Sequence, residues 1–272
     1  MLIYLAMGLA GGLLAGMLGI GGGLLFIVIL PSALVNFGVG PDDLPEAVIA
    51  NSLYATFFSA LGATVTHLLQ RRSGAHHILW VGIPAAFIAA LSLHYIASAA
   101  WFSRALFLNI VIVLLLVLLV RSFVHLMSKK TVSFIKEEPI IDKAPYIVSG
   151  MGAGFISSLS GLGGGIIVVP AMRYWARQPM LQANFISSGT IVISSAGAAA
   201  AALLAPDLQI NTPAWGLIVP AISTPLAIGV LAGSPVGVWV SKRLPDKALT
   251  AFYCLFLVIV LVRKVIEAGY LK

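Results

Sequence analysis

A chain of 272 residues with 60% hydrophobic side chains, 9% charged ones and a mean hydropathy of +1.05 is far too apolar for a water-soluble domain, where about a quarter of residues carry charge. The formal net charge of +7 falls in the polar breaks between apolar runs and not in a basic patch. It therefore points to membrane-facing loops and not to a nucleic-acid partner. One cysteine, Cys254, excludes a disulfide framework or a multi-cysteine metal centre and reads as a buried, inert thiol.

In chain order, eight apolar stretches cover about 2–36, 45–69, 77–98, 102–127, 146–176, 180–204, 214–241 and 247–267. A spanning helix needs about 20 apolar residues, so the chain reads as an all-α polytopic membrane protein. The N-terminus, Met1 to Ala10, lacks a basic region and a cleavage site, and is expected to begin the first membrane segment. That first stretch is interrupted by Gly19-Ile20-Gly21-Gly22-Gly23. Glycine inside a helix costs about 1 kcal/mol relative to alanine, so four in five residues predict a break at membrane depth. Such a break is tolerated only where the backbone is buried in protein or lines a polar cavity.

The breaks between stretches carry Gly40-Pro41-Asp42-Asp43, Gln70-Arg71-Arg72-Ser73-Gly74, Ala205-Pro206-Asp207 and Lys242-Arg243-Leu244-Pro245-Asp246-Lys247. The longest polar segment, Ser128 to Lys143, divides the chain near its midpoint. The expected division is a first transmembrane repeat over 1–127, a polar cytoplasmic linker over 128–145 and a second repeat over 146–272.

The fifth stretch repeats the first. Gly161-Leu162-Gly163-Gly164-Gly165 matches the first cluster at an offset of 142, which also pairs Gly8 with Gly150 and Gly12 with Gly154. Beyond a change in loop length the offset becomes 135, pairing Ser52 with Ser187, Ser59 with Ser194 and Gly62 with Gly197. Internal duplication of this kind is common among secondary transporters.

Loop charge then separates two topologies. With eight simple spans, Lys and Arg divide ten to six across the membrane. With each glycine-broken stretch folded as a re-entrant hairpin, one side collects Arg71, Arg72, Arg121, Lys129, Lys130, Lys136, Lys143, Arg173, Arg177, Lys242, Arg243 and Lys247, against Arg104, Arg263, Lys264 and Lys272. Twelve to four obeys the positive-inside rule better. Three full spans then remain per half, an odd number, so the expected architecture is two inverted repeats, each a hairpin plus three helices. Eight simple spans are the alternative.

The candidate substrate site follows from the breaks. A half-helix starting near Leu24 or Ile166 exposes unpaired N–H groups and the positive end of its dipole, an anion site by construction. The expected site residues are Gly19, Gly21, Gly22, Gly23, Leu24, Gly161, Gly163, Gly164, Gly165 and Ile166. To these are added Asn51, Ser52, Ser187, Ser188 and Thr190, polar side chains in the first two turns after each hairpin. The alternative role of small residues is close helix packing, which accounts for Gly8, Gly12 and Gly16 and for Gly229, Gly233 and Gly237 at four-residue spacing. For the hydroxyls and amide it is interhelical hydrogen bonding. No Asp or Glu lies deep in an apolar stretch, which favours an anionic substrate over a cation. His67 and His94 are the candidates for proton handling, and His76-His77 marks a membrane boundary. Pro220, Pro225 and Pro235 predict a broken or flexible seventh stretch, and Pro84 a kink in the third.

At its paired glycine motifs, with Pro170 following the second, the chain resembles over nearly its whole length the TauE/SafE family of sulfite exporters and toluene-sulfonate uptake permeases. It departs from that family at Val28, where proline is usual, and at Asn51-Ser52 and Ile186-Ser187, where Thr-Ser is favoured. The resemblance implies a secondary transporter, an exporter, of small sulfur-containing or organic anions such as sulfite, sulfonates or sulfoacetate in a bacterial inner membrane. The expected partners are the lipid bilayer and a small anion, with a homodimer left open. No cofactor, metal or catalysis is expected. A membrane scaffold without transport is the alternative, and an intramembrane enzyme finds no nucleophile–base pair to support it.

Overall fold

In hydrocarbon every backbone polar group must be paired within the protein, so apolar runs of this length fold as helices. The computed structural model describes residues 1–18, 21–69, 75–97, 104–127, 143–176, 178, 180–210, 212–244 and 246–269. Gly19, Arg71, Arg72, Arg177, Lys272 and the linker over 128–142 lie outside them. The described residues form ten helices: α1 (Leu2–Leu18), α2 (Gly23–Asn36), α3 (Leu44–Leu69), α4 (Ala75–Ala97), α5 (Arg104–Met127), α6 (Ala144–Ser160), α7 (Gly165–Tyr174), α8 (Met180–Leu203), α9 (Pro220–Ser241) and α10 (Asp246–Gly269). Five of them (α3, α4, α5, α8 and α9) contain apolar spans long enough to cross a bilayer. The protein is an all-α, multi-pass membrane protein.

The first and fifth apolar stretches are each split in two at their glycines. At about 1.5 Å per residue, α1 and α6 reach about 25 Å, α2 about 21 Å and α7 about 15 Å, so none spans a 30 Å hydrocarbon core alone. The chain turns back on itself at both breaks. A Cβ on Gly22 would lie 3.4 Å from the carbonyl of Gly11, and one on Gly164 would lie 2.6 Å from that of Ala153. These partners are eleven residues earlier in each case, about 16 Å away along a straight helix.

Helix directions follow from which residues meet. Along α1 and α9, Gly8 faces Leu226 and Gly229, Gly12 faces Val230 and Gly16 faces Ser234, so the two helices run parallel. Both sides of this seam are glycine, since Gly229, Gly233 and Gly237 in turn face Leu5, Leu9 and Leu13. α3 is parallel to α9, with Asn51 beside Val219 and Ser223 and Gly62 beside Ser234. In the other half Gly150 faces Val81 and Gly154 faces Ala85, while Ile78, Gly82 and Ala86 meet Gly189, Ile193 and Gly197. Hence α4, α6 and α8 are mutually parallel. Where the two sets meet, α3 and α8 run antiparallel, with His67 near the end of α3 lying against Phe185 near the start of α8.

Each half therefore supplies helices to the other's bundle: α1 packs on α9, and α6 packs on α4. α3 is the most enclosed span, 72% of its apolar window being buried, against 29% for α5. α5 and α10 pair at the periphery through Leu108, Val111, Leu115, Leu257 and Val260. The expected break in the seventh stretch falls before Pro220. The α9 helix itself runs unbroken through Pro225 and Pro235, while residues 214–219 form a tight turn with a Trp215–Ile218 bridge.

Candidate functional site

The two glycine breaks meet at the contact between α3 and α8. A Cβ on Gly23, the first residue of α2, would stand 2.6 Å from the Gly161 carbonyl and 2.8 Å from the Leu162 Cα. Gly161 ends α6 in the left-handed region at φ 69°, and Gly163 and Gly164 continue there at 78° and 73°. Three left-handed residues in four explain why this turn is spelled in glycine. Gly21 has φ 73° as well, whereas Gly22 is right-handed at −67°.

The helices after each break start at Gly23 and Gly165, so Leu24 and Ile166 are their second residues. No side chain caps either start. The N–H groups of those first turns and the positive ends of the two dipoles are thus turned toward the place where the breaks touch.

Thr56 of α3 lies between the two breaks. Its Cγ2 is 2.9 Å from the Cβ position of Gly21 and 2.8 Å from that of Gly163, and Ile191 of α8 touches the same two glycines. One turn away, Ser52 donates from Oγ to the Gly161 carbonyl at 2.8 Å, satisfying the left-handed end of α6. Ser52, Thr56 and Ser59 form one stripe on α3, all fully buried. Ser187, Ile191 and Ser194 form the matching stripe on α8, with Ser188 and Thr190 buried beside it.

These hydroxyls are not all satisfied. Ser149, Ser158, Ser160 and Ser194 donate back to carbonyls of their own helix, the usual recourse of a hydroxyl in a helix. Thr56, Ser59, Ser157, Ser187 and Thr190 do not, and their buried oxygens have no hydrogen-bond partner among the described residues. More than nine in ten buried polar groups are normally paired. Thr64, Ser195 and Ser234 are unpartnered as well, and Thr56 is the orphan whose side chain is seen to reach both breaks.

Asn51 belongs elsewhere. Its Nδ2 donates to the carbonyls of Ala47 at 2.7 Å and Leu217 at 2.9 Å, and its Oδ1 accepts from the Val219 N–H at 2.9 Å and from the Ser223 hydroxyl. Both amide hydrogens and two acceptor positions are used, so the side chain pins the turn before α9 to α3. Asp207 holds the same turn by accepting from the Gly216 N–H at 2.7 Å.

The histidines lie apart from the breaks. His67 is buried eleven residues beyond Thr56, about 16 Å along α3, and His94 is exposed. The His76 and His77 rings lie 3.9 Å apart, tilted by 38°, and His77 stacks on Tyr146, whose hydroxyl accepts from Gln178 Nε2 at 2.8 Å. No cluster of metal ligands exists among the described residues. The void beside the first break, lined by Gly11, Gly21, Gly22, Leu25 and Phe256 among others, has a volume of only about 10 Å³.

Thr56 was not among the residues singled out from the sequence. Its repeat partner is Ile191, so matching identical residues between halves passes over it. The signal that finds it is helical spacing, since Thr56 follows Ser52 by four and precedes Ser59 by three.

Residues 4–263 match the model of the family described as Sulfite exporter TauE/SafE. A "Probable membrane transporter protein" of Methanocaldococcus jannaschii is 26% identical over 257 residues, covering 91% of this chain and 88% of its own. A "Probable membrane transporter protein" of Haemophilus influenzae is 25% identical over 273 residues, covering 95% and 96%.

Proposed function

The chain belongs to the sulfite exporter TauE/SafE family, and from that premise we propose a secondary transporter that exports small sulfur-containing or organic anions, such as sulfite and sulfonates, across a bacterial inner membrane. That it is a membrane transporter follows from the family and its relatives. The substrate rests on one observation: two uncapped helix starts meet beside Thr56, a buried side chain whose hydroxyl lacks a partner.

In this reading the anion sits between the breaks, held by N–H groups of the first turns near Gly21 to Leu24 and Gly163 to Ile166 and by hydroxyls of Thr56, Ser187 and Thr190, while Ser52, whose hydroxyl donates to the Gly161 carbonyl, holds the turn. Asn51 contributes by fixing the turn that covers one end of α3. The void at the first break is too small for such an anion, so a substrate-sized space opens by movement of one helix set against the other. That is alternating access around a fixed site.

The membrane placement has its own support. Asp42, Asp43 and Asp207 lie at the end where α3 and α9 begin, while Lys242 and Arg243 follow the opposite end of α9. With the basic end cytoplasmic, the glycine-broken stretches are re-entrant hairpins entering from opposite faces, and the two halves are inverted repeats.

The test is flux. Purified protein in liposomes is expected to carry sulfite or a sulfonate down its gradient, and to leave sodium and potassium untouched. Cation flux alone, or no anion flux from a panel of sulfite, sulfonates and carboxylates, overturns the proposal.

A further inference from the structure

We propose that a groove between α2 and α10 holds one phospholipid with an ethanolamine headgroup, an inference independent of the site between the breaks. The groove has a volume of about 430 Å³. Val28, Val35 and Asn36 line it from α2, and Arg263, Ile266 and Glu267 from α10.

Depth decides what can lie there. Measured along α10 from Asp246, Arg263 is about 26 Å in and Glu267 about 32 Å. The two therefore straddle the edge of a hydrocarbon core of about 30 Å. On the other wall α2 ends at Asn36, shortly before Asp42 and Asp43. The groove opens where acyl chains give way to headgroups, and Val28, about two turns below Asn36, makes its deeper wall apolar.

Charge then selects the headgroup. Lys264 is fully buried with its Nζ 2.7 Å from the Glu267 carboxylate, so that pair is neutral as a unit. Arg263 is exposed beside Val262, Val265 and Ile266, themselves exposed and apolar. A guanidinium on a lipid-facing surface at this depth is costly unless an anion meets it. The helix across the groove supplies none, since α2 contains no charged residue. A lipid phosphate lies at that level, and a guanidinium can donate two parallel N–H groups to it.

Glu267 supplies the second contact. It follows Arg263 by four residues, one turn nearer water, which places the two Cβ atoms about 5–6 Å apart. The two-carbon bridge of an ethanolamine headgroup covers a like distance between phosphate and ammonium. The ammonium reaches the Glu267 carboxylate, which can accept from several donors besides Lys264, next to the negative end of the α2 dipole. From membrane to water the groove is apolar, then basic, then acidic, and the lipid is acyl chain, then phosphate, then ammonium. A choline headgroup has no N–H to donate, and a glycerol headgroup has no cation.

Native mass spectrometry of the full chain reads the occupant, after incubation in detergent with equimolar phosphatidylethanolamine, phosphatidylcholine and phosphatidylglycerol of identical acyl chains. One phosphatidylethanolamine is expected to be retained per chain, about tenfold over phosphatidylcholine, the worth of one charge-assisted hydrogen bond. Equal retention of the three, or more phosphatidylglycerol than phosphatidylethanolamine, overturns the proposal. Arg263→Gln, a change at an exposed position, is expected to cut phosphatidylethanolamine retention about tenfold, and unchanged retention overturns it as well. Glu267→Gln alone would take the carboxylate from a buried lysine, so the pair is removed together. The double variant Lys264→Met, Glu267→Gln should retain phosphatidylethanolamine and phosphatidylcholine equally, and a surviving preference overturns the ammonium contact. The first two comparisons decide the proposal without it, should that variant not fold. A dimer that retains no lipid, and that Arg263→Gln turns monomeric, makes the groove an interface between copies and overturns the proposal. Anion flux enters none of these readouts, so their failure leaves the transporter reading standing.

Discussion

Thr56 carries two opposed demands. A buried hydroxyl with no partner weakens the fold by about 1–3 kcal/mol, yet in the proposed site the same oxygen donates to the anion. Thr56→Val keeps the shape and removes the hydroxyl. We expect the variant to unfold at a higher temperature than the parent in the absence of anion, and to lose most of the stabilisation that methanesulfonate confers. Differential scanning fluorimetry with and without the anion reads both. A variant that is stabilised by the anion as much as the parent would place the hydroxyl outside the site. Asn51 shows the contrast, because all its hydrogen-bonding groups engage protein atoms and it has nothing left to offer a ligand. The sequence singled out Asn51 and passed over Thr56, although both are polar and both are buried on α3. Only the three-dimensional partners, more than 160 residues away for Asn51, separate a receptor from a pin.

At the scale of the element, the glycines divide into two kinds that sequence spacing already distinguishes. Those at regular four-residue intervals line seams between helices, and those in clusters break helices. In the seams a methyl group meets backbone, which cannot move aside: at Gly12 it overlaps the carbonyl and Cα of Val230, and at Gly154 those of Ala85. Gly12→Ala and Gly154→Ala are each expected to destabilise the protein by at least about 1–3 kcal/mol, the usual range for overpacking. Gly40→Ala, with nothing within 4 Å, should leave the unfolding temperature unchanged, and the three are compared by thermal unfolding in one detergent. Equal midpoints would mean that the seams are loose. Eight apolar runs become ten helices because each glycine cluster splits its run in two, while hydropathy alone placed the start of the seventh run at 214 because the turn over 214–219 is as apolar as the helix it precedes. The position of each break was readable within one residue, since glycine propensity acts locally. A midplane site between the two glycine hairpins was the expectation from the sequence; that Thr56 stands between them was not readable, since it depends on how α3 and α8 cross.

Across the whole molecule, the helix directions fall into two sets: α1, α3 and α9 run one way, α4, α6 and α8 the other. The sides of the membrane are open to direct test. In a Cys254→Ser background, single cysteines at Asp42, Asp207 and Lys242 should label from two faces, the first two from outside and the third only after the cytoplasmic face is exposed to the reagent. Eight simple spans would instead put Asp42 and Lys242 together and Asp207 opposite. The exchange of helices between halves also bears on how such a chain is made and where it came from. At the ribosome, α1 emerges long before α9, its glycine-seam partner, so the first hairpin has to wait in lipid, with its seam uncovered, for most of translation. A single ancestral repeat would have met the same difficulty without a second half to resolve it. Two copies inserted in opposite orientations could cover each other's seams, which would make a dual-topology dimer the simplest ancestor of this fold.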